Sequence, residues 1–281
     1  MKIKNTLLIF FIFILAVSCS KTNKEEDFDD TEETIVPVKV DTINYPKFSW
    51  DKMPLYMHVR KSTAFTEEEI LFLANFPLIT IEKSTGYKTY GSNEKGTIEI
   101  AKAIKNINKE ATILYYKNVV INWGNYEEDE IFLQENPEAI LTDDNGVKAL
   151  MPNGTNGFFD ISKEYVRDYW LSHVSKMAKN SVIDGLFMDA NIKVLAPGFF
   201  GGRVGNEKQQ EIEKGYFSMM ENLNTQLGDD NLLLANMIRV RSDFTDSGRE
   251  FLKYFNGSYL EGFENESSDI TYEDYLATGI E

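Results

Sequence analysis

From residue 55 onward, short apolar runs of strand length alternate with stretches of helical period, and this rhythm leaves the chain few folds to choose from. Leu55-Tyr56-Met57-His58-Val59 reads as a strand. Thr66-Glu67-Glu68-Glu69 is a capping box that opens the apolar turn Ile70 to Ala74. Pro77 to Glu82 is a second strand, and Ala111 to Tyr116 a third. Between them, Thr97 to Ile107 sets Ile100, Ala101, Ile104 and Ile107 on one helical face. An excursion over 118–157 then breaks the rhythm. Its Asp144-Asn145-Gly146 turn, flanked by two apolar runs, predicts a small hairpin. Phe158-Phe159-Asp160-Ile161-Ser162 leads into a helix from Lys163 to Lys179, with Ser162 as the expected N-cap. Asp184 to Asp189 is a strand that ends on a carboxylate. Helices over Glu207–Leu227 and Ser247–Phe255 alternate with strands over Asn231–Met237 and Gly257–Phe263, and a last helix starts at Thr271.

Such alternation implies a mainly parallel sheet covered by helices. No glycine-rich phosphate loop follows the first strand, which argues against an open dinucleotide-binding sheet. The expected fold class is therefore α/β, a (β/α)8 TIM-type barrel over residues 46–281. Six strands are counted if the Phe158 segment only leads into a helix, and seven if it joins the barrel. A full barrel needs eight. The shortfall falls at the C-terminal end and predicts a barrel left incomplete by truncation there.

The N-terminus reads as an address. Lys2 and Lys4 precede an apolar run from Leu7 to Val17, too short to span a bilayer and suited to a signal peptide over residues 1–18. The run ends in Ala16-Val17-Ser18-Cys19, which resembles the lipobox of bacterial lipoproteins; Cys19 is the chain's one cysteine. That resemblance implies acylation of Cys19, a membrane anchor, and a place in the cell envelope at the outer membrane, facing the periplasm or the surface. Residues 19–45 are acidic and poor in large apolar groups, and read as a flexible tether. Their Glu25-Glu26-Asp27 run resembles the surface-export signal of some lipoproteins and reads equally well as a solvated spacer. The formal net charge is −16, and loss of Lys2 and Lys4 with the leader takes it to −18. A chain so acidic repels polyphosphates, so nucleic acid is not an expected partner.

In barrels of this kind the chemistry stands at the C-terminal ends of the strands. Those ends offer Glu82 and Lys83, Tyr116 and Lys117, Asp189 and Asn191, Asn236, and Glu261 to Glu264. Carboxylates, amides and aromatics suit a carbohydrate, whose hydroxyls need paired donors and acceptors. Glycosidic cleavage requires two carboxylates, one acidic and one acting as nucleophile or base. Asp189, which ends an apolar strand, is the first candidate catalytic residue. Glu261 and Glu264 are the candidates for its partner, and their spacing points them to opposite faces of a straight strand. Asn236, Asn191, Lys117, Glu82 and Trp123 are the candidate substrate-binding residues; Asn236 fits equally a role in orienting a carboxylate. Asp160 sits where an aspartate caps a helix. Arg239 and Arg241 fit an anionic sugar or a local charge balance. The two histidines, His58 in a strand and His173 in a helix, make no metal site and read as core or surface residues. Asp143-Asp144-Asn145-Gly146 lacks the first and last ligands of a calcium loop. No cofactor is expected.

Asn136-Pro137-Glu138-Ala139-Ile140-Leu141, Asp144-Asn145-Gly146, Asp160-Ile161-Ser162 with Tyr165-Val166-Arg167-Asp168-Tyr169-Trp170, and Ile183-Asp184-Gly185-Leu186-Phe187-Met188-Asp189-Ala190-Asn191 together resemble the hypothetical glycosyl hydrolase-like family 15. The looser outline resembles alpha-galactosidase-type barrels. The resemblance covers roughly residues 50 to 265. It implies a glycoside hydrolase in which Asp189 is the nucleophile and Glu261 or Glu264 the acid. Two departures stand out. The acid candidates are glutamates where those enzymes use aspartate, and Leu-Phe-Met precedes the key aspartate in place of a polar-aromatic run. Two further readings stay open: a carbohydrate-binding lipoprotein without activity, and a barrel acting on an amino-sugar polymer or a peptidoglycan fragment.

Overall fold

The computed structural model describes residues 43–152, 154–196, 198–239 and 249–261. The signal peptide, Cys19, Arg241, Glu264 and the expected helix at Thr271 lie outside the described residues, as does the tether but for its last three positions.

Six strands form one parallel sheet in sequential order: β1 (Tyr56–Val59), β2 (Leu78–Ile81), β3 (Thr112–Asn118), β4 (Gly185–Asp189), β5 (Leu232–Arg239) and β6 (Gly257–Glu261). The helices between them are α1 (Glu67–Leu73), α2 (Tyr87–Tyr90), α3 (Asn93–Ile107), α4 (Glu127–Glu135), α5 (Glu164–Ala178), α6 (Asn191–Leu195), α7 (Gly201–Val204) and α8 (Asn206–Leu227). Strand–helix repetition with every neighbour parallel is the barrel topology the sequence implies. The sheet curls. Tyr56 and His58 on β1 lie 5.8 and 5.9 Å, ring centre to ring centre, from Tyr259 on β6, although five strand intervals separate β1 and β6 in the sheet. This is the α/β incomplete TIM-type barrel.

Local signals set the helix starts. Thr66 accepts from the Glu69 amide while the Glu69 carboxylate accepts from the Thr66 amide, so the capping box forms as read. Ser92 caps α3, whose first residue, Asn93, lies four residues upstream of the expected start. Ser162 does not cap α5. Its hydroxyl turns back onto Asp160 at 2.5 Å, and Lys163 precedes the helix without a side-chain cap bond. Phe158 and Phe159 do not join the barrel. They bridge antiparallel to Ile121 and Ile140, which folds the excursion over the strand ends and leaves six barrel strands among the described residues. The hairpin in that excursion forms about Asp143–Val147, with Gly146 at φ +77°. Of the expected helix over Ser247–Phe255, residues 249–254 form a 3-10 turn.

Two cores follow from strand alternation. One lies between sheet and helices, around Ile79, Ile113, Tyr115, Leu186, Met188 and Trp170. The other fills the barrel with Leu114, Tyr116, Phe187 and Leu232, joined by Leu78, Leu234, Tyr56 and Tyr259. Ile43 joins this inner cluster. Asn44 beside it accepts from the Thr112 hydroxyl and donates to Asp184 at 3.0 Å. A strap at the N-terminal ends of the strands thus closes that end of the barrel.

Candidate active site

Asp189, at the end of β4, faces the barrel interior in register with Asn118 on β3. Donors from two strands and from the turn after β4 converge on it. The Tyr116 hydroxyl on β3 donates to Oδ2, and Asn118 Nδ2 stands 3.5 Å from the same oxygen. Asn236 Nδ2 on β5 donates to Oδ1 at 3.0 Å, and the Ala190 amide donates to Oδ1 at 2.7 Å. Burial, and then the charge of Asp189, push the Tyr116 phenol well above its ordinary pKa, so it keeps its proton and remains a donor. Ala190 has φ +68°, a left-handed conformation rare for alanine, at the point where the chain leaves the strand. This turn brings the Ala190 amide back onto the carboxylate.

Asn236 couples Asp189 to a second acid. Its Nδ2 also donates to Glu261 Oε2 at 2.8 Å. The β5–β6 register shifts by one residue between Asn236 and Ile238, and beyond the shift Glu261 pairs with Arg239. Two oxygens held at 3.0 and 2.8 Å by one nitrogen lie no more than about 6 Å apart, close enough for one sugar unit to touch both acids. The reversed amide would set Oδ1 against both carboxylates, so electrostatics fixes the orientation of Asn236. Its Oδ1 is buried and has no hydrogen-bond partner among the described residues.

The wall beside this pair comes from β2 and the excursion. Lys83 Nζ pairs with Glu82 and lies 4.7 Å from the Tyr116 ring centre and 5.0 Å from that of Trp123. Trp123 is partly buried, and its indole N–H is buried without a partner among the described residues. Trp123, Lys83, Glu82, Tyr116, Asp189, Asn236 and Glu261 therefore form one connected rim.

Two sequence candidates are elsewhere. Lys117 points into the helix layer, 1% exposed, with both Asp129 oxygens 2.7 Å from its Nζ and the Tyr126 ring centre at 4.1 Å. The expectation that it binds substrate is corrected by strand alternation, which turns Tyr116 and Asn118 inward and Lys117 outward. Asn191 is fully buried at the start of α6. It accepts from the Tyr216 hydroxyl at 2.9 Å and donates to the Met188 carbonyl at 3.0 Å. With no exposed surface it props the strand end from behind and has no access to substrate. Asp160 does not cap α5 as expected: it accepts from the Ser162 amide and hydroxyl, which orders the turn before the helix, and pairs with Lys163 and Lys208. The Asp143–Gly146 segment is the hairpin turn. Among the described residues no group of three or more His, Asp or Glu side chains is arranged to hold a metal.

The sequence reading misses His58, Tyr259 and the inward role of Tyr116. The usable signal was parity: residues two apart on a strand share a face, so Asp189 marks Phe187, and its register partners mark Tyr116. His58 sits edge-on to Phe187 at 4.9 Å and faces Tyr259, in the floor beneath the acids.

The curled parallel sheet and the acids at its strand ends define a glycosyl hydrolase-like barrel. Solved structures share the fold. The GH36 alpha-galactosidase AgaA of Geobacillus stearothermophilus aligns in two complexes. With 1-deoxygalactonojirimycin the TM-score is 0.52 at 15% identity, over 81% of this chain and 32% of that one. With raffinose it is 0.51 at 16% identity, over 75% and 31%. The alpha-galactosidase of Lactobacillus brevis gives 0.51 at 11% identity, over 85% and 32%. The chain thus spans about a third of the length of each, and identities this low speak for the fold alone. No curated protein matches the chain. The model of the hypothetical glycosyl hydrolase family 15 matches residues 105–279, more than half of the sequence, and the chain belongs to that family.

Proposed function

We propose that the protein is a glycoside hydrolase that cleaves a poly- or oligosaccharide with retention, using Asp189 as nucleophile and Glu261 as acid and then base. The supporting observation is Asn236, whose single amide nitrogen reaches both carboxylates. Asp189, oriented by donors from β3, β5 and its own backbone turn, suits a nucleophile that must meet one carbon. Glu261, on the far side of Asn236, suits protonation of the departing oxygen. A protonated Glu261 still accepts from Asn236 through its carbonyl oxygen. The ring faces of Trp123 and Tyr259, both partly buried, suit the apolar faces of sugars. The raffinose bound by the Geobacillus structure is a precedent for an oligosaccharide ligand on this fold.

The test is hydrolysis of aryl glycosides and oligosaccharides by the wild type, Asp189→Asn and Glu261→Gln. Each variant should lose at least about 100-fold in kcat, the lower end of what a positioned acid or base contributes. Undiminished turnover by either variant sinks the assignment. Glycan binding without turnover in the wild type would support the binding-lipoprotein alternative. The lipobox-like Ala16-Val17-Ser18-Cys19 supports the proposal that the chain is exported and anchored in the cell envelope through acylated Cys19. Loss of labelled palmitate incorporation in Cys19→Ala is the expected result, and retained label would contradict it.

A further inference from the structure

His58 lies in the floor of the proposed site with one ring nitrogen committed and the other not. Its Nδ1 is 2.9 Å from the Tyr56 hydroxyl, and that hydroxyl is 2.7 Å from Thr80 Oγ1. Either hydroxyl of the Tyr56–Thr80 pair can supply the proton between them, so in both imidazole tautomers Tyr56 engages Nδ1 and Nε2 is the ring nitrogen left to meet a ligand. Tyr56 keeps its proton because burial pushes its pKa far up. The ring is braced edge-on against Phe187 at 89°, with Tyr259 at 5.9 Å and Tyr116 at 6.3 Å, so Nε2 is held in a fixed direction. Nε2 has no hydrogen bond to any described residue. Around it stand Glu82, Lys83, Asp189 and Glu261, all close enough to act on its charge. Desolvation outweighs the carboxylates and lowers its pKa, so the ring is neutral at pH 7 and Nε2 can share a hydrogen bond with a hydroxyl.

We propose that His58 Nε2 is a substrate-binding group that hydrogen-bonds a ring hydroxyl of the sugar unit held between Asp189 and Glu261. The inference rests on the glycosidase reading and extends it to glycone recognition. Discrimination follows, because a sugar lacking that hydroxyl leaves Nε2 desolvated and unpaired. An asparagine at 58 places an amide where Nδ1 lies, preserves the link to Tyr56 and deletes Nε2. A glutamine reaches the Nε2 position instead.

The experiment compares full-length wild type, His58→Asn and His58→Gln on 4-nitrophenyl glycosides of both anomers. Kinetics are followed on the glycoside the wild type turns over, and melting temperatures are measured in parallel. The expected result is a fall in kcat/KM of about tenfold or more for His58→Asn and less than about threefold for His58→Gln, with KM carrying most of the change. A His58→Asn enzyme that matches wild type, or equal losses in both variants, overturns the assignment and makes His58 a packing residue. Wild type inert on every glycoside would sink the glycosidase reading and this proposal with it. An active wild type with an indifferent His58→Asn sinks the proposal alone.

Discussion

Replacing Lys117 with methionine should unbalance the fold while sparing the site. Lys117 and Asp129 are 2% and 1% exposed at the side chain and meet at 2.7 Å. Asp129 also accepts from the Tyr169 hydroxyl at 2.6 Å. Methionine keeps the length of the aliphatic stem and removes the charge, which leaves a buried carboxylate without its cation. Breaking such a pair from one side costs about 3–5 kcal/mol, against a total stability of roughly 5–15 kcal/mol for a domain. At about 2–4 °C per kcal/mol for a domain of this size, the melting temperature should fall by roughly 6–20 °C. Lys117 is also one of the cations that lower the pKa of buried His173, whose Nδ1 is 3.9 Å from Asp129. Without Lys117, His173 takes up a proton more readily, so the loss should be smaller at pH 5.5 than at pH 8. Urea unfolding followed by tryptophan fluorescence reads the cost. Lys117→Met with Asp129→Asn removes both charges and should recover most of the stability. The folded single variant should keep the wild-type KM, since its side chain never reaches the mouth. A loss under about 1 kcal/mol, or a double variant as unstable as the sum of the singles, would refute the reasoning.

Three further outcomes follow from the structure. Both histidines have pKa values lowered by burial, so the unfolded chain binds more protons than the native one on acidification. Stability should therefore be full above the ordinary histidine pKa of about 6.5 and decline toward pH 5, by up to about 1.4 kcal/mol per pH unit for each. Urea midpoints across that range check it, and His173→Gln should flatten the slope. A Cβ at Gly185 would meet the Leu232 carbonyl oxygen at 2.0 Å, so Gly185→Ala should cost about 1–3 kcal/mol, read as a lower urea midpoint. Asn236→Ala should lower kcat by about tenfold or more, since it removes the donor shared by Asp189 and Glu261 and lets both drift.

The barrel was legible because a parallel sheet buried on both faces writes its strands as apolar runs, and helices between them carry their own period. The place of Asp189 at the end of β4 was legible for the same reason, as the first charge after Leu186-Phe187-Met188. Asn236 was open to either role, and the structure shows it orienting both carboxylates. Lys117 and Asn191 were misread because position at a strand end does not say which way a side chain points. Register decides that, and register is a property of strand pairing across residues far apart in sequence. Asn118 pairs with Asp189, 71 residues away, and only that pairing turns Lys117 toward Asp129. His58 was legible only as a core or surface residue, because the curl that carries β1 toward Tyr259 has no local signature.

The shared reach of Asn236 over Asp189 and Glu261 is the center of the account, and covalent labelling addresses it most directly. The protein is incubated with activated fluoroglycosides that slow deglycosylation, then digested and mapped by mass spectrometry. A single glycosyl adduct on Asp189, absent from Asp189→Asn and still formed on Glu261→Gln with an activated leaving group, is the predicted result. An adduct on another residue, or hydrolysis that releases the inverted anomer with no adduct at all, would contradict it.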